Sequence, residues 1–317
     1  MAVIIDGTNG FKEPTGYLFG PPQGRLTLTT GTPVMTSTVS AATTIYYTPY
    51  NGNLIPIYNG TAFVPTLFTN AGVELSIATT NTANSPAAIG ASKVNDWFVW
   101  DDAGTIRLVH GPDWTSDTSR SAGTAIALVN GIYTNSVAIT NGPAISKGTY
   151  VGTTRSNSSS QLDWILGTAA AGGGAAFLWL WNAYNQKVVR TQVRDTDNSW
   201  SVAATAIATA NSSTGNRVSF VQGLPWDACR ASYGSMHGGA TAGEVGVGFN
   251  STTAYSGRIG SSAGGVTWSE GSDVQFATGA NWFQALNGAR VAGTETFYGD
   301  NNTPTQVQNG LIFEGSF

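Results

Sequence analysis

Residues 176–184 read Ala176-Phe177-Leu178-Trp179-Leu180-Trp181-Asn182-Ala183-Tyr184, followed by Asn185-Gln186-Lys187 and Val188-Val189-Arg190-Thr191-Gln192-Val193-Arg194-Asp195. With a period of two, Phe177, Trp179 and Trp181 point one way and Leu178 and Leu180 the other. Both faces are apolar, as expected of a strand held between two layers. The next segment is one-sided, with Val189, Thr191 and Val193 opposite Arg190, Gln192 and Arg194. The pair predicts a hairpin folded at Asn185-Gln186. A two-sided strand beside a one-sided strand is the core of a sheet-on-sheet domain.

Composition supports that reading. Charged residues make up 10% of the 317, well below the quarter typical of globular domains. Glycine contributes 40 residues, yet 10 Trp, 11 Tyr and 13 Phe supply enough apolar material for a core, so the chain is expected to fold. Its length is too great for one ordinary β-sandwich and suits two β domains, or one plus an arm. A formal net charge of -4 gives no electrostatic reason to expect nucleic acid or an anionic membrane as partner. Cys229 is the single cysteine, which excludes an intrachain disulfide and suits a small buried hydrophobe. The opening Met1-Ala2-Val3-Ile4-Ile5-Asp6 is too short and too acidic for a signal peptide. No 18-residue apolar run follows, so synthesis in the cytoplasm without membrane insertion is expected.

Strand patterns recur along the chain. A short strand and a glycine turn open it, and residues 12–23, with Pro14, Gly16, Gly20, Pro21 and Pro22, predict an irregular extended arm. Asn59-Gly60 and Asn130-Gly131 each lie between strand patterns, the strongest short hairpin signal. Pro56 and Pro65 place the first of these hairpins at a sheet edge. Asp101-Asp102-Ala103-Gly104 forms the loop of another hairpin. Further strands are expected at 217–222, 227–233, 244–249, near 282–285, and at 294–298 and 311–313. Residues 257–265 predict loop, and 282–291 is the one helical candidate. The organisation expected is an arm over 1–22, a β-rich domain over 23–148 and a β-sandwich-like domain over 149–317.

Sites of chemistry are sparse. His110 and His237, the two histidines, have no Cys or second His at ligand spacing, so no metal site is expected. Gly260-Ser261-Ser262-Ala263-Gly264 matches the pattern of a nucleophile elbow. That motif calls for a strand before it, a helix after it and a later histidine, and no histidine follows Ser262. The carboxylate pairs Asp101/Asp102, Asp113/Asp117, Asp195/Asp197 and Glu270/Asp273 could serve a glycosidase. Asp101/Asp102 and Asp195/Asp197 fall in turns, where aspartate accepts backbone hydrogen bonds, and turn chemistry is favoured over catalysis. No catalytic residue and no cofactor is therefore expected. Trp114, Tyr255, Trp268 and Trp282 stand in polar, Gly-rich contexts and are the candidates for stacking on a surface glycan, against the commoner role of core or interface aromatic.

Several blocks resemble a family. Gly24-Arg25-Leu26-Thr27-Leu28-Thr29, Thr44-Ile45-Tyr46-Tyr47-Thr48-Pro49-Tyr50, Leu54-Ile55-Pro56-Ile57-Tyr58 and Phe98-Val99-Trp100-Asp101-Asp102-Ala103-Gly104-Thr105-Ile106-Arg107-Leu108 are similar to tail-fibre and related virion proteins of tailed phages and prophages. Tyr150-Val151-Gly152-Thr153-Thr154-Arg155, Leu180-Trp181-Asn182-Ala183-Tyr184-Asn185 and Asp195-Thr196-Asp197-Asn198-Ser199-Trp200 continue the resemblance, and Ile5-Asp6-Gly7-Thr8-Asn9-Gly10 is similar to the opening of many phage fibres and spikes. The resemblance implies a virion setting and a trimer, and assigns no catalytic residue. The expectation is an all-β protein of antiparallel β-sandwich or jelly-roll-like domains with an extended N-terminal arm. It would act as a homotrimeric fibre or spike docked to tail, portal or capsid proteins. Val3, Ile4, Ile5, Phe11, Tyr17 and Phe19 are the candidate attachment residues. A glycan- or receptor-binding module is the alternative, and a polysaccharide depolymerase the third reading.

Overall fold

The computed structural model describes residues 20–69, 73–203, 205–239, 242–262, 265–303 and 306–317, together with the backbone of 4–6, 10–13, 16–17 and 263. The chain is all-β, built from sheets that are antiparallel apart from short parallel pairings. The helices among the described residues are two three-residue turns, Ala122–Thr124 and Ala210–Ser212. Two compact units form: Met1–Asp163 with Leu180–Gln186, and Trp164–Trp179 with Lys187–Phe317.

The arm carries more order than its prolines suggest. Strands Ile4–Asp6, Gly10–Glu13 and Gly16–Tyr17 form a small antiparallel sheet, with Ile5 opposite Phe11 and Lys12 opposite Tyr17. Residues 12, 13, 16 and 17, expected to be irregular, thus have strand partners for their backbone groups. Ile4, Ile5, Phe11 and Tyr17 lie on these strands; Val3 and Phe19 lie outside the described residues.

In the first unit, strand Val94–Asp102 pairs with Thr105–His110 on one side and Thr149–Arg155 on the other. Thr149–Arg155 also pairs with Ile132–Asn135, which continues into Ile126–Val129. Because Thr149–Arg155 is built into this sheet, it belongs with the first unit, beyond the expected boundary at 148/149. The Ala103-Gly104 and Asn130-Gly131 turns both have positive φ at each residue (49° and 93°, 45° and 90°). Those angles match the right-handed twist of the flanking strands and explain the tight hairpins. The Asn59-Gly60 hairpin, Leu54–Tyr58 with Phe63–Leu67, is a two-stranded sheet whose Pro56 and Pro65 face each other. Gly24–Thr27, Thr44–Pro49 and Leu75–Ala78 make a third sheet. Trp97, Tyr150, Trp181, Tyr47 and Phe68 are fully buried between these layers.

The second unit is a sandwich. One sheet holds Gly260–Ala263, Ala242–Phe249, Gly279–Ala289, Arg217–Gln222 and Ala176–Leu178 in that order. The other holds Ala169–Ala170, Val188–Asp195, Asn309–Ser316, Cys229–Gly239, Thr294–Tyr298 and Ser199–Ala203, with Thr267–Gln275 also on Cys229–Gly239. Phe220 and Phe283 from the first sheet meet Phe313 from the second, with centroids 5.1 Å and 6.1 Å away. This aromatic seam closes the sandwich core.

The expected hairpin over 176–195 does not form. The two-sided apolar run is real, but it breaks at Trp179 into Ala176–Leu178 and Leu180–Asn182, one in each unit. Ala176–Leu178 runs parallel to Arg217–Gln222, whereas Leu180–Asn182 pairs with Thr149–Arg155. Val188–Asp195 keeps its alternation of buried Thr191 and Val193 with exposed Arg190, Gln192 and Arg194, but its long partner is Asn309–Ser316. At the turn, the Asn185 side chain donates to the carbonyls of Pro22 and Gly24, and Lys187 exchanges backbone hydrogen bonds with Phe317. These distant partners outcompete a local hairpin. Two further expectations are corrected. Residues 260–263, expected as loop, pair with Ala242–Phe249. Of residues 282–291, read both as a strand near 282–285 and as the helical candidate, 282–289 belong to the long central strand Gly279–Ala289, paired on both sides. At 282–289 propensity yields to burial, whereas 260–262 are not buried and their order comes from pairing with Ala242–Phe249.

Candidate functional site

The four aromatics proposed for glycan contact separate in the structure. Trp114 is 2% exposed, so it is a core residue and not a surface contact. Its Nε1 donates to Asp96 Oδ2 at 3.0 Å, and the Arg120 guanidinium lies 4.2 Å from its ring centroid. Arg120 in turn donates to both Asp96 oxygens, at 2.7 and 3.0 Å, and Thr153 donates to Asp96 Oδ1 at 2.6 Å. A buried carboxylate collected Trp114 into the interior, because an unpaired charge there would be far costlier than an immobilised indole.

The remaining three belong to the second unit. Tyr255 is half-buried and packs over Gly246 and Gly288, where a Cβ would come within 2.5 and 2.8 Å of it. Burial raises its phenol pKa. Trp282 is half-buried under Arg217, whose guanidinium carbon sits 3.8 Å from the ring centroid and whose Nε donates to Gln284. Trp268 is 50% exposed and lies across Gly234 of the neighbouring strand, where a Cβ would meet the indole at 2.2 Å. Along the same segment Val266, Val274 and Phe276 are also half or more exposed. These exposed apolar residues do not stand out in the sequence, because Glu270 and Ser272 separate Trp268 from Val274 on the same face.

Every carboxylate of these pairs except Glu270 is occupied by structural work. Asp101 accepts the Gly104 amide and Asp102 accepts Arg107 Nε, both at 2.6 Å. Asp195 is completely buried; it accepts the Gly172 and Asp197 amides and the side-chain amides of Asn211 and Asn216. Asp113 and Asp117 go separate ways, to Asn95 and Arg155. Asp273 accepts Ser256 and Gln275, while Glu270 is exposed. Turn and ladder chemistry accounts for the first and third pairs as expected. Cys229 is fully buried, and desolvation raises its thiol pKa, in keeping with an inert small hydrophobe.

One cluster joins residues that sequence spacing had kept apart. His237 and Glu295 are almost completely buried, and His237 Nδ1 lies 2.8 Å from Glu295 Oε1. His237 Nε2 lies 2.9 Å from Ser269 Oγ and 3.3 Å from Ser262 Oγ, and the two serine oxygens are 3.2 Å apart. Ser262 is the central serine of the Gly-x-Ser-x-Gly pattern. Its histidine precedes it in the chain, which a search for a later one could not find.

No protein-family model matches the chain, and no curated protein shows significant similarity to it. Among the described residues no group of three or more His, Cys, Asp or Glu side chains could hold a metal ion.

Proposed function

We infer that this chain is a structural subunit of a bacteriophage virion, a trimeric fibre or spike that docks to tail or capsid through its first 22 residues. The observation that carries the assembling role is the pair of exposed apolar groups Val266 with Trp268 and Val274 with Phe276, which flank Glu270 and Ser272 on one strand of the second unit. Exposed apolar side chains gathered at the two ends of one strand suit an interaction surface, and low charge leaves little repulsion between copies. The virion setting rests on the resemblance of the blocks between residues 24 and 200 to phage appendages. Light scattering on the purified protein tests the assembly: a mass of three 32.9 kDa chains is expected, with smaller species in a Trp268→Ser, Phe276→Ser variant. A single-chain mass for the wild type overturns it. Deleting residues 1–22 is expected to leave trimers intact while abolishing incorporation into particles.

A glycan-binding module is the second reading. It is favoured by Trp268, a half-exposed indole laid flat over a glycine, and by the Arg217–Trp282 stack. Sugar rings stack on such faces. Wild-type protein that competes with phage adsorption, and a Trp268→Ser variant that remains trimeric and no longer does so, would establish it.

A further inference from the structure

The sandwich of the second unit brings a serine, a histidine and a glutamate into line from distant parts of the chain. On strand Cys229–Gly239, residues 235, 237 and 239 share one face, since side chains alternate. Across the ladder Ser269 stands opposite Ser235, and Glu295 stands opposite Gly239. His237, Ser269 and Glu295 therefore project from the same face of one sheet. Ser262 arrives from the other sheet: its strand Gly260–Ala263 pairs with Ala242–Phe249, with Gly243 opposite Ser262. Two glycines make the meeting possible. A Cβ at Gly243 would come within 2.3 Å of His237 Nδ1, and one at Gly239 within 2.5 Å of Glu295 Oε2.

The order of contacts is that of an activated hydroxyl. The Nδ1–H of His237 donates to Glu295, which holds the ring in the tautomer whose Nε2 lone pair faces the serines. Ser269 is 6% exposed, whereas Ser262 is half-buried and reachable from solvent. A purely structural histidine would be satisfied by Glu295 and Ser269 alone. Here a second, more accessible hydroxyl lies within hydrogen-bonding distance of the same nitrogen.

We propose that Ser262, with His237 as its base and Glu295 as the residue that orients the base, is an acyl-accepting nucleophile toward carboxylic esters whose acyl group is small enough to reach a half-buried hydroxyl. Ser262 Oγ attacks the acyl carbon and its proton passes to His237 Nε2. The imidazolium, stabilised by Glu295, returns that proton to the departing alcohol as the ester C–O bond breaks, leaving an acyl-serine. Water then loses a proton to Nε2 and attacks the acyl carbon. The carboxylic acid leaves and Ser262 regains its proton, so the net change is ester plus water to acid plus alcohol. This activity goes beyond the assembling role and does not depend on it.

The test uses the full chain and p-nitrophenyl acetate. The expected result is a burst of p-nitrophenolate approaching one equivalent per chain, with one acetyl group mapped to Ser262 by peptide mass spectrometry. Ser262→Ala is expected to remove both while leaving the circular dichroism spectrum and melting temperature unchanged, because the side chain sits at the accessible rim. Glu295→Gln, read alongside a folding control, should slow acylation by about three to four orders of magnitude, as loss of the orienting carboxylate does in such constellations. No burst in the folded wild type, an acetyl group mapped elsewhere, or unchanged labelling in Ser262→Ala overturns the proposal.

Discussion

The side chain of Asn182 replaces a missing strand beside Leu26. Its Oδ1 accepts the Leu26 amide at 2.6 Å and its Nδ2 donates to the Leu26 carbonyl at 3.3 Å, across 156 residues of sequence. Asn182 is 1% exposed, so both backbone groups are satisfied in a place water does not reach. In the second unit Asn309 does the same for Asp195, accepting its amide at 2.9 Å and donating to its carbonyl at 2.8 Å.

Asn182→Leu removes both hydrogen bonds and leaves a buried donor and acceptor unpaired. A loss of about 2–4 kcal/mol is expected. Asn182→Asp keeps an acceptor for the Leu26 amide but buries an unpaired carboxylate facing the Leu26 carbonyl, so it should be no more stable than Asn182→Leu at neutral pH. Urea titration of the two variants checks the order; equal midpoints for wild type and Asn182→Leu would contradict the role.

Arg120 and Asp96 form a buried pair, with side chains 15% and 2% exposed. Arg120→Ala strands the carboxylate among Trp114, Thr153 and apolar neighbours, at a cost of about 3–5 kcal/mol. Adding Asp96→Asn removes the stranded charge, so the double variant should be more stable than Arg120→Ala alone. A double-mutant cycle by thermal denaturation measures the coupling.

His110 is 1% exposed, donates Nδ1–H to the Gly111 carbonyl at 2.7 Å and packs edge-on against Trp97. Burial lowers its pKa, so the folded state keeps it neutral while the unfolded chain takes up a proton near the ordinary value of about 6.5. The unfolded state binds more protons below that pH, and stability falls with acidification by at most about 1.4 kcal/mol per pH unit from this group. His110→Gln cannot titrate and should flatten the decline between about pH 6.5 and pH 5. An unchanged acid slope in that variant would show that His110 does not drive it.

Asp195 accepts four hydrogen bonds with no exposed surface, while Asp197, partly exposed, shares the Gly172 and Asn211 donors. Asp195→Asn turns one acceptor atom into a donor facing the Asn211 and Asn216 amides. It should cost about 2–4 kcal/mol, and Asp197→Asn less. Chemical denaturation of both checks the ranking.

Much of this architecture was legible in residues 54–67, 94–110 and 126–135, where alternation and turn chemistry act over a few neighbours. Asn130-Gly131 needs positive φ at both residues, and few dipeptides accept that geometry, so the hairpin is written locally. The same logic marked Asp101 and Asp195 as turn acceptors. The stretch 176–195 had the correct pattern of faces and the wrong partners. Periodicity tells which side of a strand is buried, but carries no information on which distant strand lies beside it.

The chain by itself thus determined that it is all-β, where the hairpins at Asn59-Gly60, Ala103-Gly104 and Asn130-Gly131 turn, and that Cys229 is an inert filler. These follow from interactions among residues close in sequence and from the apolar content available for burial. Only the tertiary structure decided that Trp114 is interior, that residues 176–182 divide between two units, and that His237 and Glu295 stand behind Ser262. Those outcomes depend on pairings across tens to hundreds of residues, where burial of a shared charge or a close-packed glycine outweighs any local preference.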